Sequence, residues 1–147
     1  MVLLAFARRY LDAVNADALV DRIDEFYLPG AELVEGHWHG VGAPVRGRVA
    51  IAALMEARRA LMRTDDLEIE GPYLAGNSDG EFAAFSLVAR FVLRSVHGRM
   101  LQRVGSLSTF EMREGRIGRQ VIYLSPALTP VEPASRWAAG MAGAPSA

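Results

Sequence analysis

The sequence contains no cysteine, and all 16 of its basic residues are arginine. Without cysteine the chain cannot form a disulfide, a zinc knuckle or an iron–sulfur cluster, and it has no thiol nucleophile. Without lysine it cannot form a Schiff base or use a lysine as a general base. These absences exclude several classes of covalent and metal chemistry.

The sequence also has little net charge and no long apolar run. Its 17 acidic and 16 basic residues give a formal charge of -1, which provides no electrostatic reason to bind nucleic acid or an anionic membrane. The longest apolar stretch, residues 82–89, ends at Arg90 and is far shorter than the roughly 20 residues of a membrane helix. Arg8 and Arg9 interrupt the apolar start too early for a signal peptide. We therefore expect a cytoplasmic protein with no nucleic-acid or membrane partner.

The composition is that of one globular domain with a tail. A chain of 147 residues that is 51% hydrophobic and 22% charged can form a hydrophobic core without disulfides or a structural metal. Its end differs, because four of the seven prolines, at positions 126, 130, 133 and 145, lie there among alanine, glycine and serine. We predict a single domain over residues 1–125 and a flexible tail over residues 126–147.

Three helices are predicted in the first half of the chain. Apolar residues recur every three or four positions from Leu3 to Val14, which indicates an amphipathic helix. A second helix is predicted from Leu19 to Tyr27, ending at Pro29 and Gly30. A short strand over residues 31–35 then leads into a glycine-rich loop over residues 36–47, and a third helix is predicted over residues 48–63.

The second half has the alternating pattern of strands. Strands are predicted over residues 67–70, 82–94, 99–112 and 117–125, with turns at residues 76–80, 95–98 and 113–116. Consecutive strands joined by short turns form an antiparallel meander. The predicted fold class is therefore α+β, with three helices packed against one side of a curved antiparallel sheet.

One face of the predicted sheet is uncharged but not entirely apolar. Such a mixture of large apolar side chains with glutamine and serine is typical of a small-molecule pocket. Alternatively, the polar groups lie near strand ends and reach solvent. The residues of this face are Met100, Gln102, Val104, Ser106, Ser108, Phe110 and Met112 in one strand and Gly118, Gln120, Ile122 and Leu124 in the next.

The order of these elements, over about residues 3–125, resembles the nuclear transport factor 2-like superfamily, which includes ketosteroid isomerases and SnoaL-type polyketide cyclases. The segment 9–15, RYLDAVN, is similar to the first helix of bacterial ketosteroid isomerases, and the segment 31–35, AELVE, is similar to their first strand. The hairpin over residues 109–117 also resembles theirs. The resemblance implies a cone-shaped sheet that encloses a deep pocket. It also implies an activity that needs no cofactor.

The resemblance also implies roles for three residues. Tyr10 corresponds to the tyrosine that donates a hydrogen bond to the developing enolate oxygen, and Glu35 to the general-base aspartate if one residue is inserted in the second helix. Ser108 occupies the position of a second oxyanion donor, a protonated aspartic acid in the family. A serine hydroxyl is a weaker donor, which implies milder acid–base chemistry on a carbonyl substrate than steroid isomerisation.

The residues themselves leave alternatives open. Glu35 ends a strand at a glycine-rich loop, where partial burial would suit a general base, but it could instead pair with Arg46 or Arg48. Tyr10 lies on the apolar side of its helix and could be a core tyrosine whose hydroxyl bonds to a backbone carbonyl.

His37 and His39 alternate with Glu35, so the three could bind a metal from one side of an extended segment. Because the resembled family is metal-free, we expect no metal there. A histidine that contacts substrate at the pocket mouth is the preferred interpretation.

These considerations predict a cofactor-independent acid–base enzyme, an isomerase, cyclase or dehydratase, acting on a small hydrophobic carbonyl compound. Glu35 is the predicted base, and Tyr10 with Ser108 or Gln120 is predicted to stabilise the oxyanion. The alternatives are a small-molecule-binding domain without catalysis and a structural dimerisation domain. The predicted pocket residues are Tyr10, Phe26, Glu35, His37, Trp38, Leu54, Met55, Phe85, Ser108, Gln120, Ile122 and Leu124.

The convex side of the sheet is predicted to form a homodimer. Leu101, Leu107, Val121 and Tyr123 form an apolar patch there, interleaved with Arg103 and Arg119. Arg90 belongs to this surface if its side of the strand is convex. If that side is the pocket, it binds a carboxylate or pairs with Glu35.

Overall fold

The computed structural model describes residues 2–37, 40–77, 81–95 and 100–126 of the chain. The first helix, α1, spans Val2–Asn15 and buries the apolar side that the three- and four-residue spacing predicts. Its buried residues are Leu3, Phe6, Ala7, Tyr10 and Ala13. The predicted tail lies outside the described residues from position 127 onward.

The other elements follow in the predicted order of helices first and long strands afterwards. The helices are α2 (Ile23–Phe26) and α3 (Arg48–Leu61), and the strands are β1 (Tyr27–His37), β2 (Gly40–Val41), β3 (Val45–Arg46), β4 (Met62–Gly76), β5 (Ala83–Ser95), β6 (Met100–Arg113) and β7 (Arg116–Pro126).

These strands form one sheet in the order β2-β1-β7-β6-β5-β4, with β3 also paired to β1. Strands β4 to β7 form the predicted antiparallel meander. Strand β1 adds to the end of the meander and runs parallel to β7. The α+β class is confirmed. The sheet is mixed rather than purely antiparallel, because β1 pairs with β7 in parallel. These two strands are far apart in sequence, so no local turn signal predicts their pairing.

The second helix differs from its prediction. Residues 19–22 form turns, and α2 covers only Ile23–Phe26, because Tyr27 is already extended, with φ -114° and ψ 140°. Pro29 and Gly30, predicted to end the helix, lie inside β1. The pairing of β1 with β7 is irregular between Tyr27 and Glu32, and such a stretch accommodates a proline that has no N–H to donate.

Strand β4 is much longer than the predicted strand over residues 67–70. Its pairing with β5 shifts between Asp65 and Glu68 and again between Glu70 and Tyr73. Asp66, with φ 54°, lies within the first of these irregularities. Each shift changes which residues face inward, so the alternation that reveals a strand in sequence is interrupted.

The core lies between the helices and one face of the sheet, which we call the inner face. Phe85 of β5 and Phe110 of β6 stack with ring centroids 4.4 Å apart, and the ring of Tyr10 meets Phe110 edge-on at 4.8 Å. Phe26 packs edge-on against Tyr10 at 5.5 Å. The predicted inner face of β6 is confirmed where side chains are described, since Val104 and Phe110 are buried whereas Leu107 is exposed.

The opposite, outer face carries charged side chains. Arg119 of β7 lies between Glu32 of β1 and Glu111 of β6, with nitrogen–oxygen distances of 3.9 and 3.6 Å. Arg90 also lies on this face, because it alternates with the core residues of β5, and it pairs with Glu70 at 2.9 Å. Within the described ranges, no helix is both long and apolar enough to cross a membrane.

Candidate functional site

The strand registers arrange the inner face in rows that cross β1, β7, β6 and β5. Because side chains of one face recur every second residue, neighbouring rows lie about 7 Å apart along the strands. The deepest row is Leu33, Gln120, Phe110 and Phe85, and the next row is Glu35, Ile122, Ser108 and Leu87. The third row contains Leu124, Ser106 and Ala89.

The deepest row holds a buried chain of hydrogen bonds. The hydroxyl of Tyr10 lies 3.0 Å from that of Tyr27, and Tyr27 donates to Oε1 of Gln120. All three side chains are buried. Tyr27 has a single hydroxyl proton and gives it to Gln120, so the proton between the two phenols comes from Tyr10. Both phenol protons are therefore used within the chain.

Burial raises the pKa of Tyr10 to about 12, while hydrogen bonds with Tyr27 and Gln120 act to lower it. The pKa of Tyr27 lies well above its usual value, chiefly through burial and also through the neighbouring Tyr10. Both phenols consequently stay protonated over the whole neutral range. They can donate or pass on hydrogen bonds there, but they do not act as bases.

Of the three residues in this hydrogen-bond chain, Tyr27 is the one that the sequence did not mark as a candidate site residue. It was placed beside Phe26 as the last residue of the predicted second helix. The change from helix to strand at Tyr27 aims both consecutive aromatic side chains inward, and neither keeps any exposed surface. The available signal was a tyrosine within an apolar stripe, because a buried phenol needs a partner.

Glu35 lies one row above Gln120 on the same face of the sheet. Its side chain is 20% exposed, and Nη1 of Arg58 contacts its Oε1. Oε1 is buried, and among the described residues its partner is this guanidinium group, held as an ion pair without hydrogen-bond geometry. Glu35 thus presents at the inner face a carboxylate that is paired with a cation.

The partner of Glu35 is neither of the two arginines considered from sequence. Arg46 pairs with Glu32 on the outer face at 3.8 Å, and Arg48 lies 3.4 Å from the carbonyl oxygen of Tyr27. Arg58 belongs to the last turn of α3, which packs against the core through Ile51, Leu54 and Met55. That packing brings the end of α3 close to β1.

The other predicted pocket residues fall into two groups. Phe26 and Phe85 are completely buried in the aromatic core, so a ligand would reach them only by displacing rings. Leu54, Met55 and Ile122 are partly buried beside the core, and Ser108 and Leu124 are partly exposed on the inner face. The upper rows are therefore the part of the inner face that a ligand can contact.

Three predictions concern residues that are not described, or are described only in part. Trp38 and His39 lie outside the described residues, and His37 is described only through its backbone pairing with Leu124. The possible Glu35, His37 and His39 metal site therefore stays a hypothesis from sequence.

Arg90 is placed on the outer face with Glu70, so it is not the pocket cation. The pairing with Glu35, one of the roles predicted for Arg90 if it faced the pocket, is made by Arg58 instead.

Comparison with solved structures identifies the fold. A candidate SnoaL-like polyketide cyclase from Mesorhizobium loti is 14% identical and matches 84% of this chain and 99% of its own, with a TM-score of 0.66. A ketosteroid isomerase-like protein from Erwinia carotovora atroseptica is 14% identical and matches 90% and 95%, with a TM-score of 0.63. An NTF2-like protein from Burkholderia xenovorans is 15% identical and matches 84% and 89%, with a TM-score of 0.58.

These likenesses show that the chain has the nuclear transport factor 2-like fold, which SnoaL-like and ketosteroid isomerase-like proteins share. The fold predicted from sequence is thereby confirmed. No protein-family model and no curated protein matches the sequence. A fold of this kind hosts many chemistries, so function has to be argued from the site.

Proposed function

We propose that this protein is an acid–base enzyme that removes a proton next to the carbonyl group of a small, largely apolar substrate. The observation that carries the proposal is Glu35, a carboxylate on the inner face whose side chain is 20% exposed and whose Oε1 is buried against the guanidinium group of Arg58. A general base needs a carboxylate that is held in place within reach of the substrate. The likeness to a candidate polyketide cyclase and a ketosteroid isomerase-like protein supports this class of reaction.

In the proposed step, the Glu35 carboxylate takes the proton from the carbon next to the carbonyl. The electron pair of the broken C–H bond forms the C=C bond of an enolate, and the carbonyl oxygen takes the negative charge. Ser108 lies in the same row as Glu35, two strands away, or about 9–10 Å between backbones. Its hydroxyl can donate to the enolate oxygen while Ile122 supports the substrate between them. Return of the proton from Glu35 to carbon completes an isomerisation or an exchange.

Glu35→Gln tests this proposal because it keeps the shape of the side chain and removes the basic oxygen. We expect hydrogen–deuterium exchange next to the carbonyl, measured by NMR over a panel of cyclic and aromatic ketones with and without a carboxylate group, to fall at least roughly 100-fold. Affinity for the uncharged ketones should change little.

The matched control is Glu32→Gln, on the same strand but in the outer-face network with Arg46 and Arg119. It should exchange at the wild-type rate. If the wild-type protein exchanges none of the ketones above buffer, or if Glu35→Gln exchanges as fast as wild type, Glu35 is not the base.

A second candidate function is small-molecule binding without turnover, and one observation favours it. The protons of both Tyr10 and Tyr27 are used within the buried chain that ends at Gln120. With the chain in this direction, neither phenol has a proton left for a substrate oxygen. In an enzyme in which Tyr10 is an oxyanion donor, Tyr10→Phe would cost roughly 100-fold or more in rate. A binding protein would show only a modest change in affinity.

A further inference from the structure

Arg58 occupies the oxygen on which the proposed reaction depends. Its Nη1 contacts Oε1 of Glu35, and 48% of its side chain is exposed. A guanidinium group has five N–H donors, so one contact leaves most of them open to a ligand. No other carboxylate within the described ranges pairs with Arg58.

The other arginines of α3 are engaged elsewhere. Arg59 contacts Oδ1 of Asp17 at 2.8 Å and Oε1 of Glu56 at 3.4 Å. Arg48, at the start of the helix, lies near the carbonyl oxygen of Tyr27. Among the described arginines of this helix, Arg58 is therefore the cation that faces the candidate site.

While Arg58 rests against Oε1, its positive charge and its bulk disfavour delivery of a substrate proton to that oxygen. The side chain of Arg58 is half exposed and has room to move away, and a second anion is the simplest group to draw it. Arginine presents its N–H groups as a planar fork that matches the two oxygens of a carboxylate. A phosphate group, with a charge of roughly -2, would leave an unbalanced negative charge beside Glu35.

We propose that the substrate carries a carboxylate in addition to its carbonyl group, and that Arg58 binds this carboxylate and thereby frees Oε1 of Glu35. The inference rests on the proposed function for the role of Glu35, and it adds the substrate class, a small keto acid. Arg58 is then a specificity-determining residue.

The test compares two aromatic ketones of the same shape, para-acetylbenzoate, which carries a carboxylate, and para-acetylbenzamide, which carries an uncharged amide. By calorimetry, the wild-type protein should bind the carboxylate about 10-fold more tightly than the amide. Arg58→Gln should remove this preference, and Arg58→Lys should keep part of it because it keeps the charge without the fork. Equal binding of the two compounds by wild type, or an unchanged preference in Arg58→Gln, would overturn the proposal.

Arg59→Gln is the matched control, since it removes a neighbouring arginine that contacts Asp17 and Glu56 rather than Glu35. It should keep the preference for the carboxylate. Glu35→Gln adds an independent prediction, because it removes the anion that competes for Arg58, and para-acetylbenzoate should then bind more tightly than to wild type. Weaker binding to Glu35→Gln would contradict the competition. Circular dichroism of each variant checks that it is folded.

Binding and exchange together separate this inference from the proposed function. A carboxylate preference that depends on Arg58, without deuterium exchange of either ketone, would support the anion site and contradict the role of Glu35 as base. Exchange that depends on Glu35, with no carboxylate preference, would support the base and overturn the role of Arg58.

Discussion

Burying two phenol groups side by side costs free energy unless each hydroxyl has a partner, and Tyr10, Tyr27 and Gln120 provide these partners for one another. The same burial makes the ionised phenol unfavourable in the folded protein, which is why the pKa of Tyr10 rises to about 12. These three residues link the stability of the core to the protonation of its hydroxyl groups.

This link predicts a loss of stability at high pH. The folded protein keeps the proton of Tyr10 up to a pKa of about 12, whereas the unfolded chain releases it near 10, so the folded state binds more protons between these values. The stabilisation is complete below pH 10 and is lost as the pH rises toward 12. The free energy of unfolding, from denaturant titrations, should therefore fall as the pH rises from about 10 toward 12.

Tyr10→Phe should reduce this slope and remove one late step from the ultraviolet absorbance titration of the phenols. Tyr73→Phe, at an exposed tyrosine of β4, is the control and should leave the late steps unchanged. An unchanged slope in Tyr10→Phe would mean that another group governs the alkaline loss of stability.

Individual residues differ in how far the sequence could identify them. Glu35 was recognisable because it ends an alternating strand at a glycine-rich loop, and its placement on the inner face follows from that alternation. Arg58 was not recognisable, because on a helix it is one of two adjacent arginines, Arg58 and Arg59. Only the packing of α3 against β1 decides which of them meets Glu35.

At the scale of elements, the β6–β7 hairpin is one that the sequence predicts from its turn residues and the alternation on either side. Its turn residues Glu114 and Gly115 have φ values of 50° and 77°, the left-handed pair that a two-residue hairpin requires. The turn predicted at residues 113–116 is present, with Arg113 paired to Arg116. Local backbone chemistry and alternation on both sides therefore place this hairpin without reference to the rest of the fold.

Gly115→Ala should destabilise the protein through its backbone alone. A Cβ at this position would meet no atom within 4 Å, so the cost is that of a left-handed conformation, about 1–2 kcal/mol in the free energy of unfolding. Gly30→Ala is the control, because its Cβ would also meet nothing within 4 Å and its φ is not left-handed. It should be neutral or slightly stabilising by denaturant titration. Equal losses in both variants would rule out the backbone explanation.

The strands differ in how accurately their bounds could be predicted, and the difference follows from how regularly their residues alternate. Strands β5, β6 and β7 alternate over most of their length, with the shifts in the β5–β6 and β6–β7 pairings near strand ends, and their predicted bounds lie close to the observed ones. Strands β1 and β4 contain irregular pairings, which break the alternation and hid the beginning of β1 and most of β4. The parallel pairing of β1 with β7 depends on the tertiary fold and has no local signature.

At the scale of the whole molecule, the outer face of the sheet combines a charged and an apolar region. Glu32, Glu111 and Arg119 form the charged region. Beside it, Leu107 and Tyr123 are paired neighbours on β6 and β7 and are 40% and 50% exposed. Val121, predicted to share this patch, is only 9% exposed, and the side chain of Leu101 lies outside the described ones. The available apolar patch is thus narrower than the sequence suggested.

We propose that two copies of the chain pair through this outer face, with Leu107 and Tyr123 at the centre of the contact and Arg119 with its partners fixing the register. Sedimentation at micromolar concentration should then show a dimer, and the double variant Leu107→Glu with Tyr123→Glu should be monomeric, because it would bury like charges at the contact. Val49→Glu is the control, since it places the same charge on an exposed apolar residue of α3, which packs against the inner face, and it should leave the dimer intact. A monomeric wild-type protein would refute the pairing. A dimer that survives the double variant would place the contact elsewhere on the molecule.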